Sequence, residues 1–134
     1  MGGVEPQEGT DRVVLVVDGE HTERSWLAGV LLTAGIGVVV VGDGRAAVRI
    51  VADGRVRPDV LLTEIELPGM TGVELAARLT ASRPAIRVVM MTNDPIRAAT
   101  ARDHAGLVSC VLLKPIDVAD LLAAIKPDPA PAAV

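Results

Sequence analysis

The stretch Val60-Leu61-Leu62-Thr63-Glu64-Ile65-Glu66-Leu67-Pro68-Gly69-Met70-Thr71-Gly72 decides how this chain folds. It opens with an apolar run too short for an ordinary helix, which predicts a strand at 60–63 buried on both faces. The run ends on the Glu64 carboxylate. Pro68-Gly69 then turns the chain into a stretch, 73–81, whose apolar residues recur at helical spacing. Strand, polar strand end, turn and helix make one unit of an α/β layer.

Outward from this unit, the same pattern recurs. Apolar runs at 13–17, 38–41, 87–91 and 108–112 predict four more strands. Helical stretches follow at 23–34, 45–52, 95 to about 104, and 118–125. Asp43, Asp94 and Asp117 are placed to cap three of these helices, and Pro95 falls in a first turn, where its missing N–H costs nothing. Gly35 ends the first helix. On that helix Trp26, Leu27, Val30 and Leu31 form one stripe, expected to face the core. Five strands alternating with five helices predict a single α/β domain: a doubly wound, five-stranded parallel sheet with right-handed crossovers. Residues 1–11 are expected to be disordered, 12–126 to form the domain, and 127–134 to be a proline- and alanine-rich tail. Loops at the carboxyl ends of the strands should carry the functional site.

Composition narrows the function. A chain of 134 residues suits one domain. It has no Phe or Tyr, and Trp26 is its one aromatic, so it lacks a stacking platform for bases. A formal net charge of −4 and the lack of a Lys/Arg run argue against binding a phosphate backbone. The N-terminus has neither the basic start nor the apolar stretch of a signal peptide, and no segment reaches the roughly 18 apolar residues of a membrane span. A cytoplasmic chain with no nucleic-acid or membrane partner is expected. Cys110, in an apolar stretch, is expected to be a small core residue.

Four polar residues end apolar strands: Asp18, Glu64, Thr92 and Lys114. On one edge of a parallel sheet they converge. The segments that carry them are Val14-Leu15-Val16-Val17-Asp18-Gly19-Glu20, the stretch around Glu64 and Leu67-Pro68-Gly69-Met70-Thr71-Gly72, and Leu112-Leu113-Lys114-Pro115. Together they resemble the receiver domain of two-component response regulators over roughly residues 12–126. The resemblance implies a flavodoxin-like fold. It implies that Glu64 stands at the position of the phosphoacceptor aspartate, and that Asp18 matches the first of two magnesium-binding acids. Thr92 and Lys114, followed by Pro115, match the hydroxyl and lysine that hold phosphoryl oxygens. The backbone carbonyl of Glu66 would complete the ion's ligands.

Three departures from the pattern matter. Gly19 stands where the second acid belongs; Glu20 is adjacent, but strand alternation points it away. Magnesium needs hard oxygen ligands in octahedral geometry, so only weak binding by Asp18, Glu64 and the Glu66 carbonyl is expected, with no resident cofactor. Glu64 is one bond longer than aspartate, about 1.5 Å, and could reach Lys114 and Thr92. A built-in mimic of the phosphorylated state and a degenerate site both stand open, and either makes aspartyl phosphorylation unexpected. Third, Val111 sits at the position of the switch aromatic on the fifth strand.

The leading expectation is therefore a stand-alone, atypical receiver, not an enzyme, that acts by binding protein. The resemblance places partner binding or self-association on helix 4, strand 5 and helix 5, about 95–104, 108–112 and 118–125. A sensor kinase or another signalling protein is the partner class, and the chain ends too soon for a DNA-binding output domain. A phosphoryl-accepting receiver using Asp18 or Glu64 with residual magnesium is one alternative. A small-ligand or nucleotide binder is another, because Gly42, Gly44 and Ala47 match G-x-G-x-x-A after a strand; these glycines are read first as turn residues. His21 and His104 have no metal-ligand companion at useful spacing and are expected on solvated helix surface. Thr63 should face away from Glu64, and Asp59 reads as a turn acid.

Overall fold

The computed structural model describes residues 12–126; the expectations for 1–11 and 127–134 fall outside them. Five strands, β1 (Val13–Val17), β2 (Gly37–Val41), β3 (Val60–Glu64), β4 (Arg87–Thr92) and β5 (Cys110–Leu113), form one sheet. All their pairings are parallel, and β1 lies between β2 and β3, followed outward by β4 and β5. The helices are α1 (His21–Thr33), α2 (Gly44–Ala52), α3 (Gly72–Ser82), α4 (Pro95–Arg102) and α5 (Val118–Ile125). This is the expected flavodoxin-like doubly wound sheet.

Alternation along each strand splits the core into two layers. Leu15, Val17, Leu61, Val88 and Met90 pack against Ala47 and Val51 of α2, Leu75 and Leu79 of α3, and Ala101 of α4. Val14, Val16, Val60, Leu62, Val89 and Met91 pack against Leu27 and Leu31 of α1, and Leu121 and Ile125 of α5. Each fully buried Leu or Ile contributes roughly 1.5–3 kcal/mol. Because both faces of β1, β3 and β4 are covered, these strands need no polar alternation.

Several element ends differ from the expectation, each for a local reason. α1 begins two residues earlier because Glu20 caps it: its carboxylate accepts from Thr22 N (3.2 Å) and Glu23 N (2.7 Å). α4 stops at Arg102, and β5 starts at Cys110 instead of 108, because the N–H groups of Leu107 and Val108 turn back onto the His104 carbonyl (2.8 and 2.7 Å). Trp26 is not a core residue; it is 42% exposed, while Leu27 and Leu31 fill the stripe. Cys110 is half-buried at the second core layer. Asp59 does more than turn the chain: its Oδ2 accepts from Val13 N at 2.8 Å, tying the start of β1 to the approach to β3.

Between β3 and α3 lies a small antiparallel ribbon, Glu66–Leu67 with Met70–Thr71, turned by Gly69 at φ 79°. Thr71 then starts α3 with a capping box: Glu74 N donates to Thr71 Oγ1 (3.1 Å) and Thr71 N donates to Glu74 Oε1 (3.2 Å). Gly72 lies against the strand end, and a Cβ there would come within 2.4 Å of the Glu64 carbonyl oxygen.

Candidate functional site

Asp18, Glu64, Thr92 and Lys114 all lie at the carboxyl edge of the sheet. The peptide bond between Lys114 and Pro115 is cis. The Lys114 ammonium is in contact with two carboxylates, those of Glu64 and Glu23. Glu64 therefore reaches Lys114, as its extra methylene allows. No hydrogen bond joins Glu64 to Thr92 among the described residues. Thr92, 5% exposed, instead accepts from Asp94 N at 3.1 Å and so helps shape the start of α4.

Glu23 is the site residue that the strand-end pattern missed. It stands in the first turn of α1, one turn beyond Gly19, and not at a strand end. The signal available was the Asp18-Gly19-Glu20 departure itself: with Glu20 used as a cap, the next helix position facing the sheet edge is Glu23. Glu20 itself is exposed, and its carboxylate is used on the helix cap. Carboxylate oxygens of Asp18, Glu23 and Glu64 all lie within 4.8 Å of one another.

Burial and mutual repulsion govern the protonation of this cluster. Burial pushes the Glu64 carboxyl up to about 7, reinforced by Glu23 and Asp18 and opposed by Lys114. Asp18, only 1% exposed, is also pushed up by burial, against the Glu20 backbone N–H that donates to its Oδ1 at 2.8 Å. Burial works against ionised Glu23 too, but Lys114, together with the neighbouring Glu64 and Asp18 carboxyls, holds it below its ordinary value. Burial disfavours the Lys114 charge, yet Glu23 and Glu64 raise its pKa above the ordinary lysine value. The cluster thus holds one ammonium, a charged Glu23 and a carboxyl that changes protonation near neutrality.

The donor set suits a hard divalent cation. It offers three carboxylates, and the buried Asp18 Oδ2 has no hydrogen-bond partner. Their oxygens, all within 4.8 Å of one another, could draw together onto one ion. Asp18, Glu23 and Glu64 would hold such an ion, which would supply charge neutralisation. The Glu66 carbonyl lies in the adjoining ribbon.

Two clefts flank the Glu64–Lys114 pair. One, about 250 Å³, is lined by Glu23, Trp26, Lys114, Pro115 and Ile116. The other, about 290 Å³, is polar and lined by Glu64, Glu66, Thr92, Asn93, Asp94 and Arg97. Arg97 pairs with both Glu66 and Asp94, bridging the ribbon to the start of α4. Val111 packs half-buried against the core layer of α2–α4. Beside it, a groove of about 320 Å³ runs between α4 and β5.

The competing motifs resolve differently. Gly42 and Gly44 do not adopt positive φ; they are small because Arg24 and Met70 lie against them. Asp43 caps α2 by accepting from Ala46 N at 2.8 Å, placing a carboxylate where a dinucleotide phosphate would sit. His104 is exposed. His21 is also exposed, its Nδ1 3.3 Å from the Arg24 guanidinium. Thr63 is fully buried.

Residues 14–126 match the family described as response regulator receiver domain. The chain is 33% identical over 99 residues to TcrX of Mycobacterium tuberculosis, a probable transcriptional regulatory protein, covering 70% of this chain and 42% of TcrX. It is 31% identical over 113 residues to the DNA-binding response regulator MtrA of Mycobacterium leprae, covering 84% of this chain and 49% of MtrA. The chain spans less than half the length of these curated relatives. Among solved structures, the chemotaxis response regulator CheY4 of Vibrio cholerae superposes with a TM-score of 0.72 at 27% identity, covering 85% of this chain and 95% of that one.

Proposed function

This chain belongs to the response regulator receiver domain family, and from that premise we propose that it is an atypical receiver that signals by binding protein without being phosphorylated. Receiver domains are signalling modules rather than enzymes. In this one Glu64 takes the phosphoacceptor position, and residues 12–126 are the folded unit. The observation that carries the reading is the Lys114 ammonium held by both Glu64 and Glu23. A lysine already engaged by two carboxylates has the partners that a phosphoryl group would otherwise provide. Glutamate at position 64 supports this, because its length reaches Lys114 without an added group. The partner face is α4, β5 and α5. Ile96 is 77% exposed there, Leu113 43% and Val118 42%, which gives a sensor kinase or another signalling protein an apolar footing.

Incubation with acetyl phosphate and magnesium tests the proposal. Intact-mass analysis should show no adduct of about 80 Da, the mass of a phosphoryl group. A hydroxylamine-sensitive adduct mapping to Asp18 or Glu64 would replace this reading with that of a phosphoryl-accepting receiver.

A further inference from the structure

We infer that Glu23 takes over from the acid missing at Gly19, and that Asp18, Glu23 and Glu64 bind a divalent cation in competition with the Lys114 ammonium. The proposal goes beyond phosphorylation-independent signalling, since it concerns which cation occupies the cluster. Three observations carry it. The three carboxylates meet from separate elements, the end of β1, the first turn of α1 and the end of β3, with oxygens within 4.8 Å of one another. Asp18 is 1% exposed, and its buried Oδ2 has no partner. A buried acceptor left unmatched is costly and favours a ligand that can satisfy it. Finally, Lys114 uses Glu23 and Glu64, two of the three, but leaves that Asp18 oxygen unanswered.

One ammonium therefore satisfies this cage only in part. A small divalent ion carries twice the charge and accepts oxygen ligands on all sides. To bind, it must take Glu23 and Glu64 from Lys114. Lys114 then becomes free to move, along with the end of β5 that carries it. Occupancy by metal or by lysine would thus set two arrangements of the edge next to the partner face. Gly19 is not required for space, because a Cβ there would meet only Gly42 O at 3.6 Å and Pro68 Cδ at 3.9 Å.

Calorimetry with magnesium chloride tests this, with Trp26 emission as a second readout because Trp26 lines the same cleft as Glu23 and Lys114. The unmodified protein should bind weakly. Lys114→Met and Lys114→Gln should each bind about tenfold or more tightly, since the competing cation is gone. Glu23→Gln in either background should lose about tenfold or more, because ligand charge sets affinity. Adding Gly19→Asp to Glu23→Gln should restore binding, which a merely structural role for Glu23 would not allow. The proposal is overturned if the Lys114 variants, folded by circular dichroism, bind no more tightly than the unmodified protein. It is equally overturned if Glu23→Gln leaves affinity unchanged.

Discussion

At the scale of single residues, the site turns on carboxylate length and placement. Glu64 is pushed up to about 7 from an ordinary 4.5, chiefly by burial. A carboxyl whose folded pKa exceeds its unfolded one binds more protons when folded. Its stabilisation is full below about pH 4.5 and is lost as pH rises through 7. Relative to Glu64→Gln, the unmodified protein should therefore lose roughly 1–3 kcal/mol between these limits. Urea denaturation of both proteins across this range checks it, and parallel curves would show that Glu64 is ionised throughout. The strand-end rule made Asp18, Glu64, Thr92 and Lys114 legible in the sequence, because a strand's last residue has a fixed place on the sheet edge. It could not reveal Glu23, whose position depends on where α1 begins and how that helix tilts onto the sheet. Nor could it separate Thr92 from Lys114 as partners of Glu64, since both lie within reach of a long side chain.

At the scale of elements, alternation and caps fixed nearly every strand and helix, and the misreadings came from side chains taking local roles. Glu20 capped a helix and lengthened it by two residues. Trp26 fitted the apolar stripe of α1 by spacing, but an aliphatic layer closes over Leu27 and Leu31 and leaves the indole at the rim. The ribbon after Glu64 was invisible because Pro68-Gly69 announces a turn without saying whether its flanks pair. That ribbon presses Gly72 onto the strand end, so the mutation Gly72→Ala would drive a methyl group into the Glu64 carbonyl. Alanine is otherwise the better helix former by about 1 kcal/mol. Overpacking against backbone should outweigh this, giving a net loss of about 2 kcal/mol. Thermal and urea unfolding of Gly72→Ala measure it; a neutral or stabilising result would mean that the ribbon yields easily.

At the scale of the whole molecule, the topology was legible because uninterrupted apolar strands admit few arrangements once helices alternate with them. What joins the site to the proposed partner face is Lys114, which follows β5 directly and whose N–H donates to the Thr92 carbonyl at 2.8 Å. Shortening Glu64 to Asp withdraws its carboxylate by about 1.5 Å, and Glu64→Ala removes it. Under the proposed function both changes loosen Lys114, so amide exchange should quicken in β5 and at the start of α5, and partner affinity should fall. Unchanged exchange in both variants would favour a rigid scaffold with an inert site. The helix caps carry one more consequence. In a parallel α/β sheet every helix starts at the same edge, and here four of the five caps are carboxylates: Glu20, Asp43, Asp94 and Asp117. Together with Asp18, Glu23, Glu64 and Glu66 they surround the cleft with negative potential, answered locally by Arg24, Arg97 and Lys114. Such a rim steers diffusional encounter. It slows small dianions and gathers cations, and its reach is about 10 Å at 0.1 M salt. Ionic strength thus becomes a gatekeeper: dilute buffer shields the cleft from anionic reagents, and added salt lowers that barrier without any change in fold.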